Sequence, residues 1–236
     1  METPAPPWRT ARKQPRRQLS QELIVETGLR ILDDEGLEAV SMRRVAQELN
    51  TGPASLYAHV ANKEELLELM YEQVIGEIEL PAPDDPRPWQ EQIREIVRNS
   101  QRTLARHGSI AATVMAGVPT GPNSMRMAER MLGVMLGGGI PKRVATMAMD
   151  RLAMYITADV YESSLYQSMW RASGKEREQF VTDYFGQIRE YFLSLPPERF
   201  PHLSASVEEM LEGDGDERFE FGLDLIIAGI EARLKS

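Results

Sequence analysis

The feature that most constrains this chain is a crowded series of helix-start and turn signals between Leu19 and Glu79. Ser41 is a good N-cap, because its hydroxyl can accept from an early helix N–H that has no partner inside the helix. Val40 before it and Val45 at the fourth helical position form a hydrophobic-staple pair. Met42, Val45, Ala46 and Leu49 fall at i, i+3, i+4 and i+7, so they share one face. Ala46 is small enough to let a second helix approach closely. Asn50 stands where the chain must turn, and Asn tolerates the left-handed backbone better than most residues. Gly52 caps the next helix and Pro53 fits its first position, where no N–H is needed. Leu56 and Val60, four apart, face inward. Ala54, Ser55, Tyr57, Ala58 and His59 are left on the other sides of a very short helix. In Asn62-Lys63-Glu64-Glu65, Asn62 caps a further helix and Glu65 sits at its third position, as in a capping box. Its free N–H groups and Lys63 suit a phosphate.

Two short helices joined by a tight turn, the second with small and polar side chains outward, are built like a helix-turn-helix for the major groove of DNA. The stretch 19–79 resembles, without gaps, the DNA-binding domain of the tetracycline-repressor family. LYAHVANKEEL is the sharpest part of the likeness. Asn50 departs from the glycine frequent there but can do the same backbone work. Ala58 departs from the larger residue many members carry on the groove side. GPNSMRMAERML and RFEFGLDLIIAGIEARL look like the ligand-binding domain of the branch nearest the tetracycline repressor itself. The resemblance implies an all-helical regulatory domain, a homodimer made largely by two helices of each subunit, and release from DNA when a small molecule binds.

Composition sets looser bounds. The chain has 236 residues, enough for one or two domains with real cores. It contains no cysteine, so disulfides, zinc–thiolate sites and thiol catalysis are excluded. His59, His107 and His202 are scattered, and no apolar run reaches the length of a membrane span. No secretory signal opens the chain, so a cytoplasmic protein is expected. The net charge of −9 is unevenly placed: residues 1–63 hold 9 Lys and Arg against 8 Asp and Glu, and the remainder 18 against 28. The acidity thus belongs to the part that would face away from a duplex. Arg9, Arg12, Lys13, Arg16 and Arg17 make a basic tail, read either as an arm along the minor groove or phosphates or as a solvated tail.

The expected fold class is all-α. Residues 1–18 form the basic arm. Residues 19–79 form a three-helix helix-turn-helix domain together with a linking fourth helix from Lys63 to about Leu80. Residues 80–236 form a helical ligand-binding and dimerisation domain. Pro81 to Pro88 is a rigid connector. Further helices are expected from Trp89 to near Gly108, over 109–115, from Pro122 to the glycines at 137–139, and from Pro141 to Trp170. Two more follow, from Lys175 to Leu195 and from about Asp216 to Leu234, with an irregular stretch between them. In the last helix Phe219, Leu223, Ile226, Ile230 and Leu234 make one apolar stripe, and Phe221, Leu225 and Ala228 another. A surface helix needs only one stripe, so the helix is read either as buried both within the subunit and against a partner or as the central helix of a monomer; the resemblance favours the partner.

Candidate DNA contacts are Arg43, Arg44, Pro53, Ala54, Ser55, Tyr57, Ala58, His59 and Lys63. The resemblance implies that Arg43, in the first turn of the second helix, reaches base edges or phosphate, and bidentate contact with guanine is the strongest use of such an arginine. Arg44 is either a second contact or merely solvated. The resemblance implies backbone contacts for Tyr57 and His59, which fix register without reading sequence. Packing within the small domain for Tyr57 and plain exposure for His59 are the alternatives. Pro53, Ala54 and Ala58 offer only apolar contact, so part of the specificity falls to DNA shape. Candidate effector contacts are His107, Met115, Met131, Met135, Met154, Tyr155, Trp170 and Phe185. Thioethers suit a pocket for varied apolar ligands, and suit an ordinary core equally. Candidate dimer contacts are Tyr161, Phe219, Leu223, Ile226 and Ile230. The resemblance implies a helix-4 histidine for tetracycline repressors; that position is Glu79 here, which argues against tetracycline as the ligand.

No His-Glu-x-x-His, phosphate loop or nucleophile elbow is present, so no catalytic residue, metal or cofactor is expected. A DNA-coating structural role is opposed by the acidic C-terminal part. Control by a protein partner would call for an exposed apolar patch in place of a cavity. The reading reached is a ligand-responsive, sequence-specific DNA-binding regulator, a repressor released from a palindromic operator by a small, largely apolar molecule.

Overall fold

The computed structural model describes residues 18–114 and 120–234, without the side chains of 109, 112 and 114. Every regular element among them is helical. The order is α1 (Gln21–Glu35), α2 (Met42–Glu48), α3 (Pro53–Leu56), α4 (Lys63–Gly76), α5 (Trp89–Arg106), a 3₁₀ stretch (Gly108–Val114), α6 (Pro122–Gly137), α7 (Lys142–Ser173), α8 (Arg177–Leu193), α9 (Pro201–Ala205), α10 (Val207–Leu211) and α11 (Gly215–Ala232). The basic arm expected over 1–18 lies almost wholly outside the described residues.

The first three helices close around Ile24, Ile31, Val40, Val45, Leu56 and Val60, all fully buried. α4 seals this small core with Leu66 and Met70. A Cβ at Gly28 would stand 2.8 Å from Met70 Sδ, so glycine is what lets α1 and α4 come this close. α4 stops at Gly76, a turn earlier than expected, and Ile78 continues inward from the chain that follows.

The larger core lies among α5, α6, α7 and α11. α5 contributes Ile93, Ile96, Val97 and Leu104; α6 contributes Met131, Val134 and Met135; α7 contributes Ala145, Leu152, Ile156 and Val160. α11 adds Phe219, Leu223, Ile227 and Ile230. α8 buries no residue, and α9 and α10 bury only Val207. The stretch read from sequence as irregular therefore contains two five-residue helices. Their turns are too short to carry a periodic signal.

Candidate DNA-reading surface, dimer face and effector region

The reading surface is built from local rules. Ser41 Oγ accepts from the Arg44 N–H at 3.1 Å and starts α2. Asn50 takes the left-handed conformation, with φ 51°, and turns the chain toward Pro53. α3 is a single turn that buries Leu56 alone. Pro53, Ala54, Ser55, Tyr57 and Ala58 are exposed, and His59 is half-buried. Tyr57 is 54 % exposed, which rules out its packing into the small domain. The short helix is held in place from behind, where Gln21 Nε2 donates to the His59 carbonyl at 3.1 Å. Asn62 Oδ1 then accepts from the Glu65 N–H at 2.7 Å, and Glu65 accepts from the Ala61 N–H at 2.5 Å. This reciprocal cap sets Lys63 at the start of α4.

Two adjacent arginines divide sharply. Arg43 is exposed and has no ion-pair partner among the described residues. Arg44 is clamped between Glu35, at 2.5 Å, and Glu48, at 2.7 Å. Hydrogen bonds to Glu35 and then to Glu48 raise its already high pKa, and both carboxyls are held below their usual range. Arg30 adds a 2.9 Å pair to Glu48. Of the two readings of Arg44, neither a free solvated side chain nor an unengaged DNA contact is what the structure holds: its guanidinium ties the end of α1 to α2. Nothing in the dipeptide itself distinguishes the two. The signal lay in Glu35 and Glu48, and Glu48 stands four residues on from Arg44 along α2.

The dimer residues expected on α11 require a second correction. Phe219, Leu223 and Ile230 are buried within the subunit and Ile226 is half-buried, so this stripe faces the core. The outward stripe is Phe221, 65 % exposed, Leu225, 59 % exposed, and Ala228. α7 carries a matching one: Met147, Met154, Ala158, Tyr161 and Leu165 are all exposed. Their heptad-like spacing is that of a helix seam. Tyr161 stays on the outward face, and Met154 moves to it from the effector set.

The remaining effector candidates do not converge. Met115 lies outside the described residues. Met131 and Met135 fill the core. Tyr155 stacks on Phe219 with ring centroids 5.1 Å apart and donates to its carbonyl at 2.7 Å, stapling α7 to α11. Burial pushes its phenol pKa up. His107 leaves the set, since its ring nitrogens lie 3.1 Å from Asp33 and 3.2 Å from Glu77, joining α1 and the end of α4 to α5. Trp170 donates to the Lys175 carbonyl at 2.9 Å at the α7–α8 bend. One turn earlier Tyr166 meets Tyr184 and Phe185 at 5.8 and 6.2 Å. Two grooves of about 100 and 260 Å³ are lined by none of the effector candidates, though the two carboxylates on His107 reach them, Asp33 the smaller and Glu77 the larger. Asp159, which sequence reasoning passed over, is half-buried beside Gln101, whose amide donates to it at 3.1 Å. Burial holds its carboxyl above the usual range, partly offset by that amide.

Comparison with known proteins bears on both halves. Residues 24–70 match the model of bacterial regulatory proteins of the tetR family, and residues 82–234 match that of the tetracyclin repressor-like C-terminal domain. The HTH-type transcriptional repressor DrrR1 of Streptomyces coeruleorubidus is 30 % identical over 95 % of this chain and 83 % of its own length. The class C tetracycline repressor of Escherichia coli is 27 % identical over 90 % of this chain and 91 % of its own. The TetR family protein ActR of Streptomyces coelicolor, solved in complex with actinorhodin, is 42 % identical with a TM-score of 0.81, covering 92 % of this chain and 97 % of that one.

Proposed function

Because this chain belongs to the tetracycline-repressor family of DNA-binding transcriptional regulators, which are not enzymes, we propose that it acts in the cytoplasm as a homodimeric repressor that leaves a palindromic operator when a small, largely apolar molecule binds. The observation that carries this reading is the pair of outward apolar stripes, Met147 to Leu165 on α7 and Phe221 to Ala228 on α11. A second copy seated on them by a two-fold axis presents two α3 helices to successive major grooves, with half-sites about one helical turn apart. Arg43 reads a base. Tyr57, His59 and Lys63 hold the backbone, and Pro53, Ala54 and Ala58 meet thymine methyls. The relative ActR, solved with actinorhodin, supports a small-molecule effector. The aromatic side chains Tyr166, Tyr184 and Phe185 support an apolar, ring-bearing one. Such a ligand can release the operator only if it binds the released conformation more tightly.

Selection of random duplex DNA by the purified protein, with sequencing of what is retained, tests the reading. A single palindromic motif is expected. Absence of enrichment at moderate salt, or enrichment of a lone half-site, would overturn it.

A further inference from the structure

α6 begins without a cap of its own. Gly121 precedes it in extended backbone and offers no side chain, and Pro122 has no N–H. The next N–H groups, on Asn123 and Ser124, are among those a helix leaves without internal partners. Both are received by a residue from another helix, 51 and 52 positions earlier. Glu72 of α4 accepts the Asn123 N–H with one carboxylate oxygen. With the other it accepts the Ser124 N–H at 3.2 Å and the Ser124 hydroxyl at 2.7 Å. Asn123 returns the bond, its amide donating to the Glu72 carbonyl at 3.2 Å. One turn on, Arg126 donates to the Gly76 carbonyl at 3.4 Å. The surfaces are closely fitted: a Cβ at Gly121 would overlap the Glu72 carboxylate, and one at Gly76 would stand 2.7 Å from Asn123 Nδ2.

This cap spans the two halves of the molecule. Two residues before Glu72, Met70 is buried against Gly28 of α1, within the DNA-reading domain. Two turns and more beyond the cap, Met131 and Met135 carry α6 into the regulatory core. A carboxylate on the N-terminus of a helix gains from the helix dipole and from charge-assisted hydrogen bonds. The arrangement also has two discrete states. Either α4 and α6 move together with the cap made, or they separate and α6 loses the side-chain cap that Glu72 gives it.

We propose that the Glu72 carboxylate is the latch that couples the regulatory domain to the DNA-reading domain, so that a displacement of α6 moves α4 while the cap is made and fails to when it is absent. The inference deepens the proposed function and rests on it for its meaning, though not for its test. Glu72 is a positioning residue here: it touches neither DNA nor effector.

The test perturbs α6 from its core side with Met135→Ala and reads amide hydrogen exchange across residues 42–60 in the full chain. It is run in three backgrounds: Glu72, Glu72→Gln and Glu72→Ala. With Glu72 present, Met135→Ala is expected to speed exchange in α2 and α3 by about fivefold or more, at the lower end of typical allosteric couplings of about 5–150-fold. In Glu72→Ala the same change is expected to shift them less than about twofold, and Glu72→Gln, which keeps one acceptor, falls between. Equal transmission in all three backgrounds would overturn the proposal. So would no transmission with Glu72 present, or a rise shared equally by α5 and α11, which is global opening. Should Glu72→Ala fail to fold, Ser124→Ala removes one bond of the cap and is expected to weaken transmission in the same sense. The readout needs neither operator nor effector. A chain that selected no duplex would therefore overturn the proposed function and leave this result standing.

Discussion

The two halves of this protein are specified in different ways. In the reading head helix starts are settled by near neighbours: Ser20, Ser41 and Asn62 each accept from the backbone N–H three residues on. α3, which lacks such a bond, is opened by Pro53. In the regulatory half α5, α6, α7 and α8 all begin with no side-chain cap from their own flanking residue. Their restraints come from far along the chain. Glu72 holds α6, Arg98 pairs with Glu220 122 residues away, and Tyr155 reaches the Phe219 carbonyl 64 residues away. α11, capped by Asp214, is the exception. The reading head is thus an object of local sequence, and the regulatory half an object of long-range pairing. A head of this kind can keep its shape while the larger domain changes state.

The largest effect is expected where the contrast reaches the surface. Phe221→Asp together with Leu225→Asp places charges on the outward face of α11, and in the proposed dimer a two-fold axis would repeat them across the interface. An uncompensated buried charge costs about 3–5 kcal/mol. The pair is therefore expected to turn the dimer into monomers in sedimentation, with loss of binding to a palindromic duplex. A dimer that persisted would move the interface elsewhere. Leu223→Ala, on the inward face of the same helix, is expected to lower stability by about 2–5 kcal/mol through the lost side chain and its cavity. The subunits should stay paired. Denaturant midpoints read the first effect and sedimentation the second, and the reverse pattern would exchange the two faces of α11.

This pair of residues also shows where sequence stops being legible. Both stripes of α11 were visible as periodicity, but not which of them faced the core. Heptad and helical spacing fix the angle between two stripes and say nothing of which neighbour lies against each. That choice rests on Tyr155 and Gly222: a Cβ at Gly222 would overlap the Tyr155 phenol, and the rings of Tyr155 and Phe219 stack at 5.1 Å. In the reading head, by contrast, Ser41, Asn50, Pro53 and Asn62 announced their roles, since each acts on backbone within a few residues. The effector candidates scatter for the same reason as the dimer set. Met131, Met135, Met154, Tyr155 and His107 are plausible pocket residues by type, and the structure sends them to the core, the outer face, a helix staple and the junction of α1 with α4 and α5.

Within the head, Arg43 and Arg44 sharpen the comparison at the scale of adjacent residues. Arg43→Ala is expected to cost about 1–3 kcal/mol of operator binding and to relax specificity at one position in each half-site. Arg44→Ala should leave the sequence preference unchanged, because its guanidinium is engaged by Glu35 and Glu48. Repeating the duplex selection with each variant separates them. A relaxed motif with Arg44→Ala would mean that the clamp opens on DNA.

The smallest expected effect tests locality itself. Ser41→Ala removes the hydroxyl that accepts from the Arg44 N–H at 3.1 Å, and loss of such a cap costs about 1 kcal/mol. That is roughly a fivefold change in a local opening equilibrium. If the head is a local object, faster amide exchange should be confined to the first turn of α2 and its immediate neighbours in α1 and α3. The amides of α5 and α7 should be unmoved, and Ser41→Thr should restore protection, since threonine also caps. A change that spread to the regulatory helices would mean that the head borrows stability from the larger domain. The contrast between a locally built reader and a remotely pinned regulator would then have to be given up.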